Sequence, residues 1–209
     1  MKLIGIPLSS PTRKVRILLE EKQAPYEMAF IDTFPDPNPL HSLNPLGKVP
    51  VLIAEDGAAL FDSHVIVEYL EHRFPEPRFT PDGEIGRLVV KRWEALADGA
   101  VDAIREIVYE CRWREPALRS TWWIGRQRAK LLRALERLSA DLGDNEWCAS
   151  GRMTLADIIV GCLMGSVNAR LAAFDLRGEF SNLWALWERL EQRASFERTR
   201  MPEQQVELP

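Results

Sequence analysis

The chain has 209 residues, of which 46% are hydrophobic and 28% charged, with a formal net charge of −4. That length can bury a substantial core in one or two domains, and the composition is that of an ordinary soluble protein. The charge shows no basic stripe that would mark a nucleic-acid binder, and no run of about 18 apolar residues exists to span a membrane.

The first 80 residues change character every few positions. Lys2–Ile6 is a short apolar strand candidate that lacks the apolar length and cleavage site of a signal peptide. Pro11–Lys22 reads as a helix with Val15, Leu18 and Leu19 on one side and Arg13, Lys14 and Arg16 elsewhere. Just before it, Ser10 suits the N-cap and Pro11 the first helical position. Tyr26–Ile31 is a second strand. Val51–Ala54 and Ala58–Phe61 flank Glu55-Asp56-Gly57, whose Asp-Gly signals a hairpin. Ser63–Phe74 is a helix stopped by Pro75. The order β-α-β, irregular, β-β-α suits a small mixed sheet with helices packed on it.

Pro75, Pro77 and Pro81 punctuate a linker, after which Thr80-Pro81 looks like the cap and first residue of a new helix. From there to about residue 200 the period is helical. One run carries Val90, Trp93, Ala97, Val101, Ile104 and Val108, and another Ile124, Leu131, Leu135, Leu138 and Leu142. This half should be an all-helical bundle. A helix near residue 154 opens with Thr154 and Asp157 as a capping box, with Met153 and Ile158 at the staple positions. The polar tail from Pro202 should be loosely ordered. Cys111, Cys148 and Cys162 form no Cys-x-x-Cys, which favours a reducing cytoplasm over zinc or dithiol chemistry. His41 and His64 have no partner at metal-ligand spacing, so no metal is expected.

The most informative pattern is Asn44-Pro45-Leu46-Gly47-Lys48-Val49-Pro50-Val51-Leu52, followed by Asp62-Ser63 at the start of an apolar helical run. Proline cannot donate to a sheet ladder, so Pro50 belongs at a strand start, an edge or a bulge. With a cis bond there, the backbone of Val49 would be open to an extended ligand, as in strand addition. Ser63 would offer a hydroxyl and an N–H at a helix N-terminus, where an anion is favoured.

Together these residues resemble the glutathione S-transferases, and bacterial serine-type members most of all. Thr154-Leu155-Ala156-Asp157 is similar to the box in that family's core helix. The resemblance implies a thioredoxin-like α/β N-terminal domain over 1–77 and an all-α helical-bundle domain over 83–201. It implies that the backbone of Val49 pairs with the cysteinyl part of glutathione, that Pro50 is a cis-proline, and that Ser63, helped by Asp62, binds the γ-glutamyl carboxylate. Lys48 could reach the glycyl carboxylate, or serve as a solvated turn lysine.

For the thiol, two serines compete. Ser9 lies six residues before Val15, the offset of the catalytic serine in several classes. Ser10 directly precedes Pro11, as in others. Ser9 is favoured because Ser10 has a rival use as the N-cap. No Tyr or Cys occupies this region, which disfavours tyrosine-type classes and thiol-transferase chemistry. The helical half should supply the second, hydrophobic substrate's pocket. Tyr109, Trp113, Trp122 and Trp123 cluster near Pro116, where aromatic walls would suit a flat electrophile and core packing is the bland alternative. The family implies a homodimer, with no nucleic-acid or membrane partner. Two other functions stay open. One is a non-catalytic interaction protein, as in the stringent-starvation proteins that bind RNA polymerase; the other is a glutathione-dependent isomerase or dehalogenase.

Overall fold

The structure, a computed structural model, describes residues 1–207. Its contacts divide the chain into two compact units, Met1–Phe79 with Ala194–Met201, and Thr80–Arg193 with the tail that begins at Pro202.

The first unit is built on a four-stranded sheet in the order β2-β1-β3-β4, with β1 Lys2–Gly5, β2 Glu27–Phe30, β3 Val51–Ile53 and β4 Ala59–Leu60. β1 and β2 are parallel, joined by helix α1 (Ser10–Glu21), while β1–β3 and β3–β4 are antiparallel. Side chains alternate across a sheet, so the paired residues sort by face. Ile4 and Val51 are partners and share a core cluster with Leu40. Leu3 and Leu52, partners one step along, are fully buried on the opposite face. Helix α2 (Ser63–Arg73) packs on α1 and β3, burying Ile66, Val67 and Leu70. The Asp-Gly hairpin forms as expected: Gly57 has φ +86° and Ala54 N–H donates to Ala58 O at 2.9 Å.

One face of α1 departs from the sequence reading. Arg13 and Lys14, expected on the polar side, are 2% and 0% exposed. The short helix α7 (Ala194–Arg198) covers Arg13, because the chain returns to this unit after residue 193 instead of ending in the helical domain at 201. The helical period of α1 marks the stripe facing the sheet but carries no trace of a partner 183 residues away.

The second unit holds α3 (Glu84–Arg112), α4 (Thr121–Leu142), α5 (Leu155–Arg170) and α6 (Ser181–Glu191). α3 starts later than Thr80-Pro81 suggested, with Gly83 as its N-cap. Pro81 instead lies against the first turn, so close that a Cβ on Gly86 would meet it at 2.9 Å. α5 is apolar on every side and buried along nearly its whole length, as a central helix must be. Its N-terminus is shut off from water, and the capping box satisfies it. Asp157 accepts from Thr154 N at 2.8 Å, Thr154 Oγ1 at 3.0 Å and Cys148 N at 2.8 Å. Burial raises the Asp157 pKa, and these donors oppose the shift. The tail is better tied than expected. Gln204 N–H donates to Ala169 O at 2.9 Å and Val206 N–H to Arg170 O at 3.1 Å, capping carbonyls that α5 leaves open. Among the described residues, no helix is long and apolar enough to cross a membrane.

Candidate functional site

Sheet topology brings three sequence motifs to one end of the first unit. β1 runs out at Gly5 toward Ser9 and α1. Val51, the first residue of β3, pairs with Ile4, so Lys48-Val49-Pro50 enters the sheet beside that same end. β4 runs back along β3, with Leu52 opposite Leu60, so the chain leaves β4 toward Asp62-Ser63 at that end too. Ser9, Val49 and Ser63 therefore belong to loops on one rim.

The opening of α1 corrects the capping assignment. Ser9, not Ser10, is the N-cap: its Oγ accepts from Thr12 N at 3.1 Å and its carbonyl from Arg13 N at 2.8 Å. Ser10 is the first helical residue, 2% exposed, with its hydroxyl enclosed and unbonded. The Ser10 oxygen itself has no exposed surface to offer a ligand, whereas Ser9 is partly exposed. Capping uses one acceptor lone pair of Ser9 and leaves its proton available to donate outward. The premise that separated the two serines was thus inverted, because proline tolerates the second helical position as well as the first.

This turn lies so close to the strand that position 5 has no room for a side chain. A Cβ on Gly5 would sit 2.2 Å from Thr12 Cγ2 and 2.8 Å from Thr12 Oγ1. Gly5→Ala should therefore push the first turn outward, lower stability by about 1–3 kcal/mol, and weaken the cap at Ser9. Adding Thr12→Ala should restore part of the loss. Thermal denaturation of the single and double variants measures both effects.

The loop before Pro50 is pinned by Asn44, which sequence reasoning quoted but gave no role. Its Nδ2 donates to Lys48 O at 2.8 Å and its Oδ1 accepts from Leu46 N at 3.1 Å, while Gly47 turns at φ +61°. Asparagine at a turn start is the signal that could have identified it. The Val49–Pro50 peptide is cis. Among the described residues, the N–H and C=O of Val49 take no main-chain partner, leaving a donor and an acceptor at the sheet end. Lys48 is exposed and pairs with no carboxylate among the described residues. Asp62 is the N-cap of α2, accepting from His64 N at 3.0 Å, and buried Ser63 is the first residue of that helix.

In the helical unit, Tyr109, Trp113, Trp122 and Trp123 do come together. They line an open pocket of about 800 Å³ with Glu106, Glu110, Arg114 and Leu118. Tyr109, Trp113 and Trp122 are 47%, 54% and 69% exposed, so they are surface walls and not core. Glu110 ties the two helix ends that form the pocket, accepting from Ser120 N at 2.7 Å and pairing with Arg114 at 2.9 Å. The Ser120 N–H, more than Arg114, holds the Glu110 carboxyl below the usual carboxylate range. A carboxylate with a lowered folded-state pKa stabilises the fold above its unfolded value, and that contribution fades as pH falls through the lowered one. Glu110→Gln should therefore be less stable than the parent near neutrality and converge with it in acid. Thermal unfolding followed across pH checks this.

The cysteines offer no competing chemistry. All three are buried and outside any disulfide, and burial pushes the Cys148 thiol well above its ordinary value.

Residues 3–78 match the family description Glutathione S-transferase, N-terminal domain, and residues 122–189 match Glutathione S-transferase, C-terminal domain. The chain is 39% identical over 204 residues to the uncharacterised GST-like protein YibF of Escherichia coli K12, covering 97% of this chain and 99% of that one. It is 30% identical over 166 residues to a maleylacetoacetate isomerase of Pseudomonas aeruginosa, covering 76% and 77%. A glutathione S-transferase from Methylobacillus flagellatus, crystallised with glutathione bound, superposes with a TM-score of 0.91 at 39% identity, covering 96% and 98%. The chain belongs to the glutathione S-transferase family, with a thioredoxin-like domain and a helical domain.

Proposed function

We propose that this protein is a glutathione transferase in which Ser9 stabilises the thiolate of bound glutathione for attack on a hydrophobic electrophile. The observation that carries the reading is the state of Ser9. Ser9 is partly exposed at a helix N-terminus, with one lone pair of its hydroxyl capping Thr12 and its proton free to donate.

Free thiols have a pKa of about 8.5, so only a few per cent of glutathione is thiolate at neutral pH. A hydrogen bond from Ser9 to sulfur, aided by the positive end of α1, favours the thiolate. Ser9 acts as a donor, since a serine hydroxyl is far too weak an acid to serve as a general base at neutral pH. In this reading the peptide of Val49 pairs with the cysteinyl backbone. Ser63 and Asp62 hold the γ-glutamyl end, and Lys48 the glycyl carboxylate. The aromatic walls of Tyr109 and Trp113 suit a flat, apolar second substrate. Exposed Val65 on α2, and Ile85 and Leu88 on the first turns of α3, support a homodimer. Cysteines outside any disulfide fit a reducing cytoplasm.

Similarity to the Pseudomonas isomerase favours one second reading, glutathione-dependent isomerisation at the same thiol site. Calorimetric titration with glutathione, then turnover of aryl halides, enones, maleylacetoacetate and peroxides, separates the possibilities. Conjugation of the first two supports a transferase. Isomerisation alone supports the second reading. No binding at millimolar glutathione would leave an interaction protein and sink both.

A further inference from the structure

We infer that Arg13 and Phe196 are positioning residues for Ser9, so that the returning C-terminal helix α7 is a working part of the thiol site. This rests on the role of Ser9 proposed above. Two of the three polar groups of Ser9 are held by its neighbours one turn on, the hydroxyl by Thr12 N at 3.1 Å and the carbonyl by Arg13 N at 2.8 Å, while its own N–H donates to Ile6 O at 3.2 Å. Each of those neighbours is locked in turn. Thr12 is wedged against Gly5. Arg13, 2% exposed, donates through Nη2 to the carbonyl of Phe196 at 3.2 Å, and its guanidinium lies 5.4 Å from the centre of the Phe196 ring.

Phe196 is itself fully buried, and Thr199 Oγ1 closes back on the Ser195 carbonyl at 2.7 Å and on the Phe196 carbonyl that receives Arg13 at 3.3 Å. A buried arginine with a planar stacking partner is held in one orientation, which a flexible lysine on an exposed helix face would not be. The first turn of α1 is thus clamped between the strand below and α7 beside it. A donor aimed at a sulfur tolerates little misplacement, and remote changes that shift a reacting group by an ångström can cost up to about a hundredfold.

The contacts of α7 farther along α1 make an internal control. Arg198 pairs with Glu20 at 2.7 Å, near the opposite end of the helix, and should not influence Ser9.

The test uses the full-length protein, reading the thiol pKa of bound glutathione by ultraviolet titration together with kcat and KM on an aryl halide. Arg13→Met should raise the bound-thiol pKa by about half a unit, a threefold change in thiolate fraction. It should lower kcat at pH ~6.5 about threefold to tenfold, with KM for glutathione within about twofold. Arg13→Lys, which can still reach the Phe196 carbonyl, should recover part of the loss. Phe196→Leu keeps the site filled, guards against a misfolded Arg13 variant, and should shift the pKa in the same direction. Arg198→Ala should titrate like the parent. Parent-like thiol pKa values in both Arg13→Met and Phe196→Leu, with a shift in Ser9→Ala, overturn the positioning role alone. An unshifted Ser9→Ala overturns the Ser9 reading and this inference with it.

Discussion

Ser9→Ala should lower turnover at pH ~6.5 by about tenfold or more while leaving the affinity for glutathione nearly unchanged. The expected cause is a rise of about one unit in the bound thiol's pKa, equivalent to ~1.4 kcal/mol of lost thiolate stabilisation. The sign follows from which form the hydroxyl favours: its donated proton stabilises the anion, so removing it returns the thiol toward its free value. Below both pKa values the two enzymes should differ by a constant factor; above the variant's value the difference should close. Alanine also removes the cap of α1, at a cost of about 0.5–2 kcal/mol of stability, whereas glycine at an N-cap costs only a few tenths. Ser9→Gly should therefore share the pKa shift and keep most of the stability. That pair separates sulfur chemistry from capping. Because the Ser10 hydroxyl is enclosed and unbonded, Ser10→Ala should change neither quantity by much. A shift in Ser10→Ala with none in Ser9→Ala would reverse the assignment.

Lys22→Met should lower the stability of the first unit by about 3–5 kcal/mol. The Lys22 side chain is fully buried, and all three of its N–H bonds are used: on Phe74 O at 2.6 Å, Pro77 O at 2.9 Å and Glu71 Oε1 at 2.8 Å. Phe74 is the C-cap of α2, so the ammonium closes a helix end whose carbonyls water cannot reach. Methionine fills the space of the stem but strands those carbonyls and removes the Lys22 ammonium from Glu71, whose side chain is 11% exposed. For a chain of this size the loss is roughly 10 °C in Tm, read by differential scanning calorimetry. A single variant that melts within about 2 °C of the parent would contradict this account of the clamp.

Much of the layout was legible because its signals are local. The strands and helices of the first unit follow apolar spacing and turn residues within a few positions, as at Asp56-Gly57 and Asp62-Ser63. The box at Thr154 and Asp157 needs only four residues to declare itself. The family's pattern could be read for the same reason: a proline entering a strand and a polar helix start are chemical facts of short stretches. The start of α3 was not legible, because Thr80-Pro81 offers a good cap that the chain passes over to pack Pro81 against Gly86.

Composition, periodicity and capping chemistry along the chain were enough to specify a small mixed sheet, a helical second half and two motifs fit to hold a peptide. They could not say which serine is enclosed, why Arg13 is buried, or what locks the first turn of α1. Those outcomes hang on Gly5 meeting Thr12 and on residues 194–201 folding back over α1. Both are contacts between segments whose separation along the chain leaves no periodic mark, and they exist only once the backbone has closed around them.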